Sequence, residues 1–145
     1  MGVVHEYFVR DDDEQGALLL GSAERGVIGM CPITELVSLE ALLMNSSGHE
    51  TTTSQLMDRP DHAVVVAHDD EPWNVFVDRI ADHTTALIAA AGPEQLGAAL
   101  QPWSQIEEFA GQVTAGELAE VMALLQPLFR QAVQHGRHIY VRTSC

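Results

Sequence analysis

The sequence contains no lysine. Its 7 basic residues are all arginines, and they face 21 Asp and Glu, which gives a formal net charge of −14. The absence of lysine excludes Schiff-base lysine chemistry and the phosphate-binding loop whose G-x-x-x-x-G-K-[ST] motif requires that residue. A field of this sign repels phosphate groups, so we expect the protein to bind neither nucleic acid nor an anionic membrane surface.

Cysteine is also scarce. The two cysteines, Cys31 and Cys145, are too few for a disulfide framework, which predicts a cytoplasmic protein with free thiols. No apolar run approaches the ~20 residues that span a bilayer, so we expect no membrane segment. The first residues lack a basic region followed by a long apolar one, so we expect no secretory signal.

The chain length and composition predict one globular domain, residues 1–145. Hydrophobic residues make up 46% of the 145 residues and charged residues 19%, as in ordinary globular proteins. A chain of this size buries roughly 68–70% of the surface that its unfolded form exposes. It therefore folds without metal or disulfide staples.

Sequence signatures of catalysis and metal binding are missing as well. There is no G-x-S-x-G nucleophile elbow and no H-E-x-x-H zinc motif. The stretch "HDDEPW", residues 68–73, follows an apolar run and resembles a metal site. However, His62 and His68 on one strand would lie about 20 Å apart, too far to share an ion. We interpret residues 69–72 as a polar turn and expect neither a metal nor a cofactor.

Residue patterns predict a mixed set of elements. The predicted strands are 3–10, 26–31, 62–68 and 137–143, rich in β-branched and aromatic residues. The predicted helices are 33–44, 80–91, 93–110 (two short helices or one kinked at Pro102) and 115–135, which has a Thr114/Glu117 capping box. Residues 11–16 read as an acidic loop. Residues 73–78 fit either a hairpin partner of the preceding strand or the first turn of a helix, and their composition favours the hairpin.

Two features of this order bear on fold and function. The helices gather in the C-terminal half and no regular βαβ run occurs, which predicts an α+β fold. We expect a small mixed or antiparallel sheet of about 4–5 strands, covered on one face by C-terminal helices. Residues 45–61 form the longest polar irregular stretch, and loops of this length often carry function.

The two terminal strands carry the most concentrated polar and aromatic groups. His138, Tyr140 and Arg142 alternate along the last strand and project together, as do His5 and Tyr7 on the first. If the two strands are neighbours, these residues form an aromatic, titratable patch on one sheet face. The alternative is that this face packs under helices, with the same groups hydrogen-bonded at its rim.

From Pro102 onward the chain pairs a W-x-x-x-E-E-F element with a long helix and a closing aromatic strand. In this it resembles small, acidic, arginine-rich proteins from high-GC bacteria, over roughly the last third of the chain. The resemblance implies no catalytic residues but supports Trp103, Glu107, Glu108 and Phe109 as one structural unit. A carboxyl beside the indole suits a general acid of raised pKa, and the alternative is a surface helix anchored by its two aromatic residues.

Three hypotheses follow. The leading one is a small acidic cytoplasmic binding protein of inhibitor or immunity type, whose surface engages a protein partner, in particular a basic one. The alternative is a small enzyme or ligand-binding protein that uses a cluster of His, Tyr, Arg and carboxylate in a cleft between sheet and helices. The third is a structural homo-oligomer. The candidate binding residues are His5, Tyr7, Trp103, Glu107, Glu108, His138, Tyr140 and Arg142.

Overall fold

A computed structural model of the protein describes residues 2–145. Its strands are β1 (Val4–Arg10), β2 (Val27–Gly29), β3 (Val64–His68), β4 (Val75–Arg79) and β5 (His138–Ser144). Its α-helices are α1 (Asp13–Ala17), α2 (Glu35–Ser46), α3 (Thr53–Met57), α4 (Asp82–Ala90), α5 (Pro93–Ser104) and α6 (Ala115–Gln134). Two short 3-10 helices span Leu18–Gly21 and Glu107–Phe109.

The five strands form one antiparallel sheet in the order β2-β1-β5-β4-β3. The two terminal strands are therefore neighbours, and β5 lies at the centre of the sheet. The predicted α+β class is confirmed, with an antiparallel sheet of five strands.

Helix α6 follows from its sequence signals. The Thr114 hydroxyl accepts a hydrogen bond from the Glu117 N–H, and the Glu117 carboxylate accepts one from the Thr114 N–H, both at 3.1 Å, so the predicted capping box is present. Gly136 ends this region with φ = 64°, a conformation that favours glycine. One stripe of α6 is buried against the sheet: Leu118, Met122, Leu125, Phe129 and Ala132.

The main hydrophobic core lies between this sheet face and helices α2, α4, α5 and α6. It contains Tyr7, Ile139 and Val141 from the sheet, and Leu39, Ile88 and Trp103 are among its helical members. The predicted covering of one face by helices of the C-terminal half holds, and α2 from the N-terminal half joins them.

The opposite sheet face is covered by the chain that follows β1. The expectation of an acidic loop at residues 11–16 is wrong, because α1 begins there. Asp12 caps this helix by accepting a hydrogen bond from the Gln15 N–H at 3.0 Å. A second, smaller core of Phe8, Leu19, Val77 and Tyr140 lies beneath this segment.

Three local predictions resolve in the middle of the chain. The hairpin alternative for residues 73–78 is confirmed by the antiparallel pairing of β3 and β4, although Trp73 itself lies in the turn. The polar stretch 45–61 is not wholly irregular, since it contains α3. Pro102 does not divide the chain into two helices: it lies in the last turn of α5, and residues 107–109 form a separate 3-10 helix.

Across residues 2–145, no helix combines the length and apolar character needed to cross a membrane.

Candidate functional site

The terminal strands do not present their candidate residues on one face. His5 pairs with Thr143 and Tyr7 with Val141, so the odd-numbered positions of both strands share a face. His5 and Tyr7 therefore point towards the main helices. His138, Tyr140 and Arg142 lie on the opposite face, and the prediction of a single shared patch is wrong.

Arg142 is used inside the fold. Its Nη2 donates to Glu6 Oε1 at 3.0 Å, and the two side chains are 6% and 3% exposed. Its Nη1 donates to the carbonyls of Leu19 (2.8 Å) and Ser22 (2.9 Å), and its Nη2 also donates to that of Glu24 (2.6 Å). The guanidinium thus ties the segment after β1 to the sheet.

Tyr140 is engaged in the same way. Its hydroxyl donates to Asp13 Oδ1 at 2.8 Å, and Arg79 donates to the other oxygen of that carboxylate. Burial and the hydrogen bond to Asp13 raise the pKa of Tyr140 above its usual value. His138 is half-buried and its Nδ1 lies 2.7 Å from Asp82 Oδ1. Each of the three side chains therefore has a different carboxylate partner and holds elements of the fold together.

On the helix-bearing face the candidate side chains also make their hydrogen bonds within the fold. The buried Tyr7 hydroxyl donates to the Met30 carbonyl at 2.8 Å, and burial raises the pKa of Tyr7. His5 Nδ1 lies 2.9 Å from Thr143 Oγ1, and burial lowers the pKa of His5. Tyr7 belongs to the core between sheet and helices, and the half-buried His5 bonds to the neighbouring strand.

The W-x-x-x-E-E-F element does form one structural unit. Trp103 is fully buried, and its indole N–H donates to the Glu35 carbonyl at 2.8 Å, which fixes the end of α5 against the start of α2. Phe109 contacts the indole edge-on, with ring centroids 6.0 Å apart. Between these anchors, Glu107 and Glu108 are exposed on the 3-10 helix. The predicted helical span 93–110 would place Trp103 and Glu107 on one helix, but α5 ends at Ser104 and Glu107 begins the separate 3-10 helix.

The two glutamates border a groove of about 360 Å³ between α2, residues 51–53 and the 3-10 helix. Its apolar lining comes from Ala41, Leu42 and Ile106. The full lining is Ser38, Ala41, Leu42, Asn45, Thr51, Thr52, Thr53, Ile106, Glu107 and Glu108. An apolar surface bordered by two adjacent exposed carboxylates suits the apolar stem and charged end of a basic side chain.

The stretch 45–61 supplies the other wall of this groove. The Asn45 side chain accepts from the Thr51 N–H at 2.9 Å and donates to the Thr51 carbonyl at 3.2 Å, which holds the loop against α2. A neighbouring groove of about 600 Å³ shares Asn45, Thr51 and Thr52 and adds Glu50. We call the two together the acidic groove. The structure thus brings part of the polar stretch 45–61 together with Glu107 and Glu108.

The rest of the surface strengthens this acidity. Of the seven arginines, five are in ion pairs with carboxylates of the same chain: Arg10 with Glu24, Arg59 with Glu40, Arg79 with Asp13, Arg137 with Asp11 and Arg142 with Glu6. These pairs leave many exposed carboxylates without an arginine partner among residues 2–145. The surface field is therefore negative, and little positive charge is free to oppose it.

The sequence interpretation missed a buried ionic cluster around Glu40. Arg59 donates to both of its oxygens at 2.8 and 2.9 Å, while the Thr84 hydroxyl and His83 Nδ1 each lie 2.6 Å away. Burial acts to raise the pKa of Glu40, but the hydrogen bonds from Arg59, Thr84 and His83 outweigh it and hold that pKa below its usual value. Glu40 lies between Leu39 and Leu43 on the apolar stripe of α2. An acidic residue on that stripe was the feature of the sequence that indicated a buried carboxylate.

Asp78 is a second buried carboxylate that sequence reasoning missed. It is 1% exposed, and among residues 2–145 its Oδ1 has no hydrogen-bond partner. Burial raises the pKa of Asp78 to about 6. Its signal in the sequence is an acid one position after the buried Val77, within an apolar strand.

Over the same residues, no three side chains of His, Cys, Asp or Glu group together in a way that holds a metal ion. Comparisons with protein-family models, with curated proteins and with solved structures find no match to this chain. The resemblance of its C-terminal third to small acidic bacterial proteins stays a prediction.

Proposed function

We propose that the protein is a small acidic cytoplasmic binding protein, of inhibitor or immunity type, that takes a basic segment of a partner protein in the acidic groove. One observation carries the proposal: Glu107 and Glu108 stand exposed and adjacent at the border of an apolar groove.

The chemistry of the groove selects arginine and lysine. The methylene stem of either side chain packs on Ala41, Leu42 and Ile106, while its charged end reaches the two carboxylates. Arginine pairs with a carboxylate through two parallel hydrogen bonds, which adds geometric specificity to the charge. Glu50 in the neighbouring groove offers a position for a second basic residue.

The charge of the whole chain adds a kinetic argument. At −14, with five arginines paired internally, the protein attracts a basic partner from a distance and speeds the encounter. This long-range attraction weakens as salt shortens the Debye length from about 30 Å at 0.01 M to about 8 Å at 0.15 M. Binding in the acidic groove must therefore weaken with salt.

The test uses a short fluorescent peptide that contains one arginine and one lysine between leucines, titrated with the full chain at both salt concentrations. We expect binding that weakens with salt, and about a tenfold loss of affinity in the double variant Glu107→Gln/Glu108→Gln. The matched control is Glu71→Gln/Glu120→Gln, which removes the same charge from exposed positions outside the groove. It should retain affinity within about threefold.

Equal losses in the two double variants would show that only the overall charge matters, and the groove would be abandoned as the site. Absence of binding at either salt concentration would contradict the proposal as a whole. Affinity capture from lysate with the wild-type and groove-variant baits then identifies the natural partner, which must be retained by the first and lost by the second.

The alternative function, a small enzyme or ligand-binding protein built on the His, Tyr and Arg groups of the last strand, has less structural support. Tyr140 and Arg142 are buried and bound to Asp13 and Glu6. His138 lines a groove of about 300 Å³, where it meets Asp82. Light scattering tests the third hypothesis, a homo-oligomer.

A further inference from the structure

A further groove, of about 400 Å³, is lined by arginines rather than by carboxylates alone. It runs between the last residues of β1, residues 24–27 and the C-terminal half of α6. Val9, Val27 and Leu128 give it apolar walls, and Gln131 adds a side-chain amide. We call it the arginine groove.

Three of the seven arginines line it, in a chain whose remaining surface is strongly acidic. Arg10 pairs with Glu24 at 2.7 Å, and Arg137 pairs with Asp11 at 2.7 Å. Arg25 is exposed and forms no ion pair with any part of the chain that the structure describes. The lining thus holds three cations and one carboxylate, Glu24. Outside the lining, Asp11 pairs with Arg137, and the charge of Arg25 helps to lower the pKa of the buried Glu6.

The geometry of the sheet edge adds backbone groups. Pairing of β1 with β2 ends at Tyr7 and Val27, so the β1 edge beyond that point faces the groove. The Val9 carbonyl there accepts a hydrogen bond from Arg10 Nη1 at 2.7 Å. Because the N–H and C=O of one antiparallel strand residue point to the same side, the Val9 N–H also faces the groove and serves as a donor.

We propose that the arginine groove binds a small organic anion with a carboxylate head and an apolar body. Arg25, which has no ion pair among residues 2–145, supplies the fork of N–H donors that matches a carboxylate, while Arg10 and Arg137 offset the charges of Glu24 and Asp11. The apolar body packs on Val9, Val27 and Leu128. The volume falls in the range of small-molecule sites, about 300–1,000 Å³. The site is distinct from the acidic groove and does not depend on it.

Three probes test the head and the body separately: hexanoate, inorganic phosphate and hexanol. Each is titrated into isotope-labelled full chain while backbone amide resonances are followed by NMR. We expect hexanoate to shift the amides of Val9, Arg10, Gly26 and Gln131 in a saturable manner. Phosphate lacks the apolar body and hexanol lacks the charge, so both should bind more weakly at these residues.

The chain offers a matched control for Arg25. Arg130 is also exposed and outside any ion pair in residues 2–145, but it lies outside the groove and donates to the Ala89 carbonyl. Arg25→Gln and Arg130→Gln therefore change the overall charge equally. We expect about a tenfold weaker affinity for hexanoate in the first variant and a change of less than about twofold in the second.

Each contrary result overturns the proposal. If hexanoate shifts no groove amide, the site does not bind carboxylates. Equal weakening by the two substitutions would leave only a long-range charge effect. If hexanol binds as tightly as hexanoate, the arginines do not contribute to binding. If phosphate binds as tightly as hexanoate, the apolar walls do not contribute. Amide spectra without ligand establish that both variants fold.

Discussion

Arg142 of β5 and Glu6 of β1 lie directly opposite each other in the sheet and form a buried ion pair, with Nη2 and Oε1 3.0 Å apart. The same guanidinium also donates to three carbonyls of the segment that follows β1. This one side chain connects the two terminal strands to the chain that covers their outer face. Its charge, which sequence reasoning assigned to binding, serves the fold.

Arg142→Met should therefore destabilise the protein strongly. The substitution leaves Glu6 charged and buried without its partner and leaves three carbonyls unpaired, so we expect a loss of about 3–5 kcal/mol in the free energy of unfolding. Glu6→Gln should cost less, about 1–3 kcal/mol, because glutamine still accepts from Arg142. Urea denaturation measures both. Arg130→Met is the exposed control and should stay within about 0.5 kcal/mol of wild type.

Asp78→Asn should remove a destabilising contribution that wild type carries at neutral pH. Asp78 has a pKa of about 6 in the fold, against an ordinary value of 3.8, so the folded state binds the proton more tightly than the unfolded state. The stability that this proton provides is fully present below about pH 3.8 and is lost as pH rises through about 6. The difference corresponds to at most about 3 kcal/mol, since one pKa unit is about 1.4 kcal/mol.

The measurement is urea denaturation of wild type and Asp78→Asn at intervals from pH 4 to pH 8. We expect the difference in unfolding free energy to grow in favour of the variant as pH rises through about 6, and then to level off. Asp70→Asn, at an exposed position in the β3–β4 turn, should track wild type. A pH-independent difference would show that Asp78 does not titrate in this window.

Glu40→Gln should act in the opposite pH range. Interactions with Arg59, Thr84 and His83 hold the pKa of Glu40 below its ordinary value of 4.5, so its contribution is present above that pH and lost as pH falls below it. We expect a loss of about 3 kcal/mol at pH 7, because Arg59 loses its charged partner. Acid titration followed by circular dichroism should show a shallower unfolding limb in the variant. A limb as steep as that of wild type would contradict this assignment.

The features of this fold that the sequence predicts well are those that depend on residues close together in the chain. The capping box of α6, the end of that helix before Gly136 and the strand character of β4 are fixed by neighbouring residues. The first two were predicted correctly, and the third was the favoured alternative. The helix at residues 13–17 was missed because an acidic run resembles a loop. Its side-chain cap, Asp12, and its packing on the sheet decide the outcome.

The predicted site residues show the same difference between features set by nearby residues and features set by long-range packing. That His5 and Tyr7 share one face follows from strand alternation, but whether they share it with Tyr140 depends on register, which long-range pairing sets. Likewise, Glu107 and Glu108 were identified locally. Their position beside residues 51–53 required the packing of α5 on α2, which Trp103 fixes through the Glu35 carbonyl.

Two glycine substitutions should give stability changes of opposite sign. A Cβ on Gly16 would lie 2.5 Å from atoms of the Tyr140 ring, which is itself held by Asp13 and the sheet. We expect Gly16→Ala to lower the free energy of unfolding by about 1–3 kcal/mol through overpacking. A Cβ on Gly97, inside α5, would meet nothing within 4 Å, so Gly97→Ala should raise it by about 0.5–1 kcal/mol through helix propensity alone. Urea denaturation compares the pair. Stabilisation by both would show that α1 moves away from Tyr140 at little cost, and its role as a fixed cover of the outer sheet face would be withdrawn.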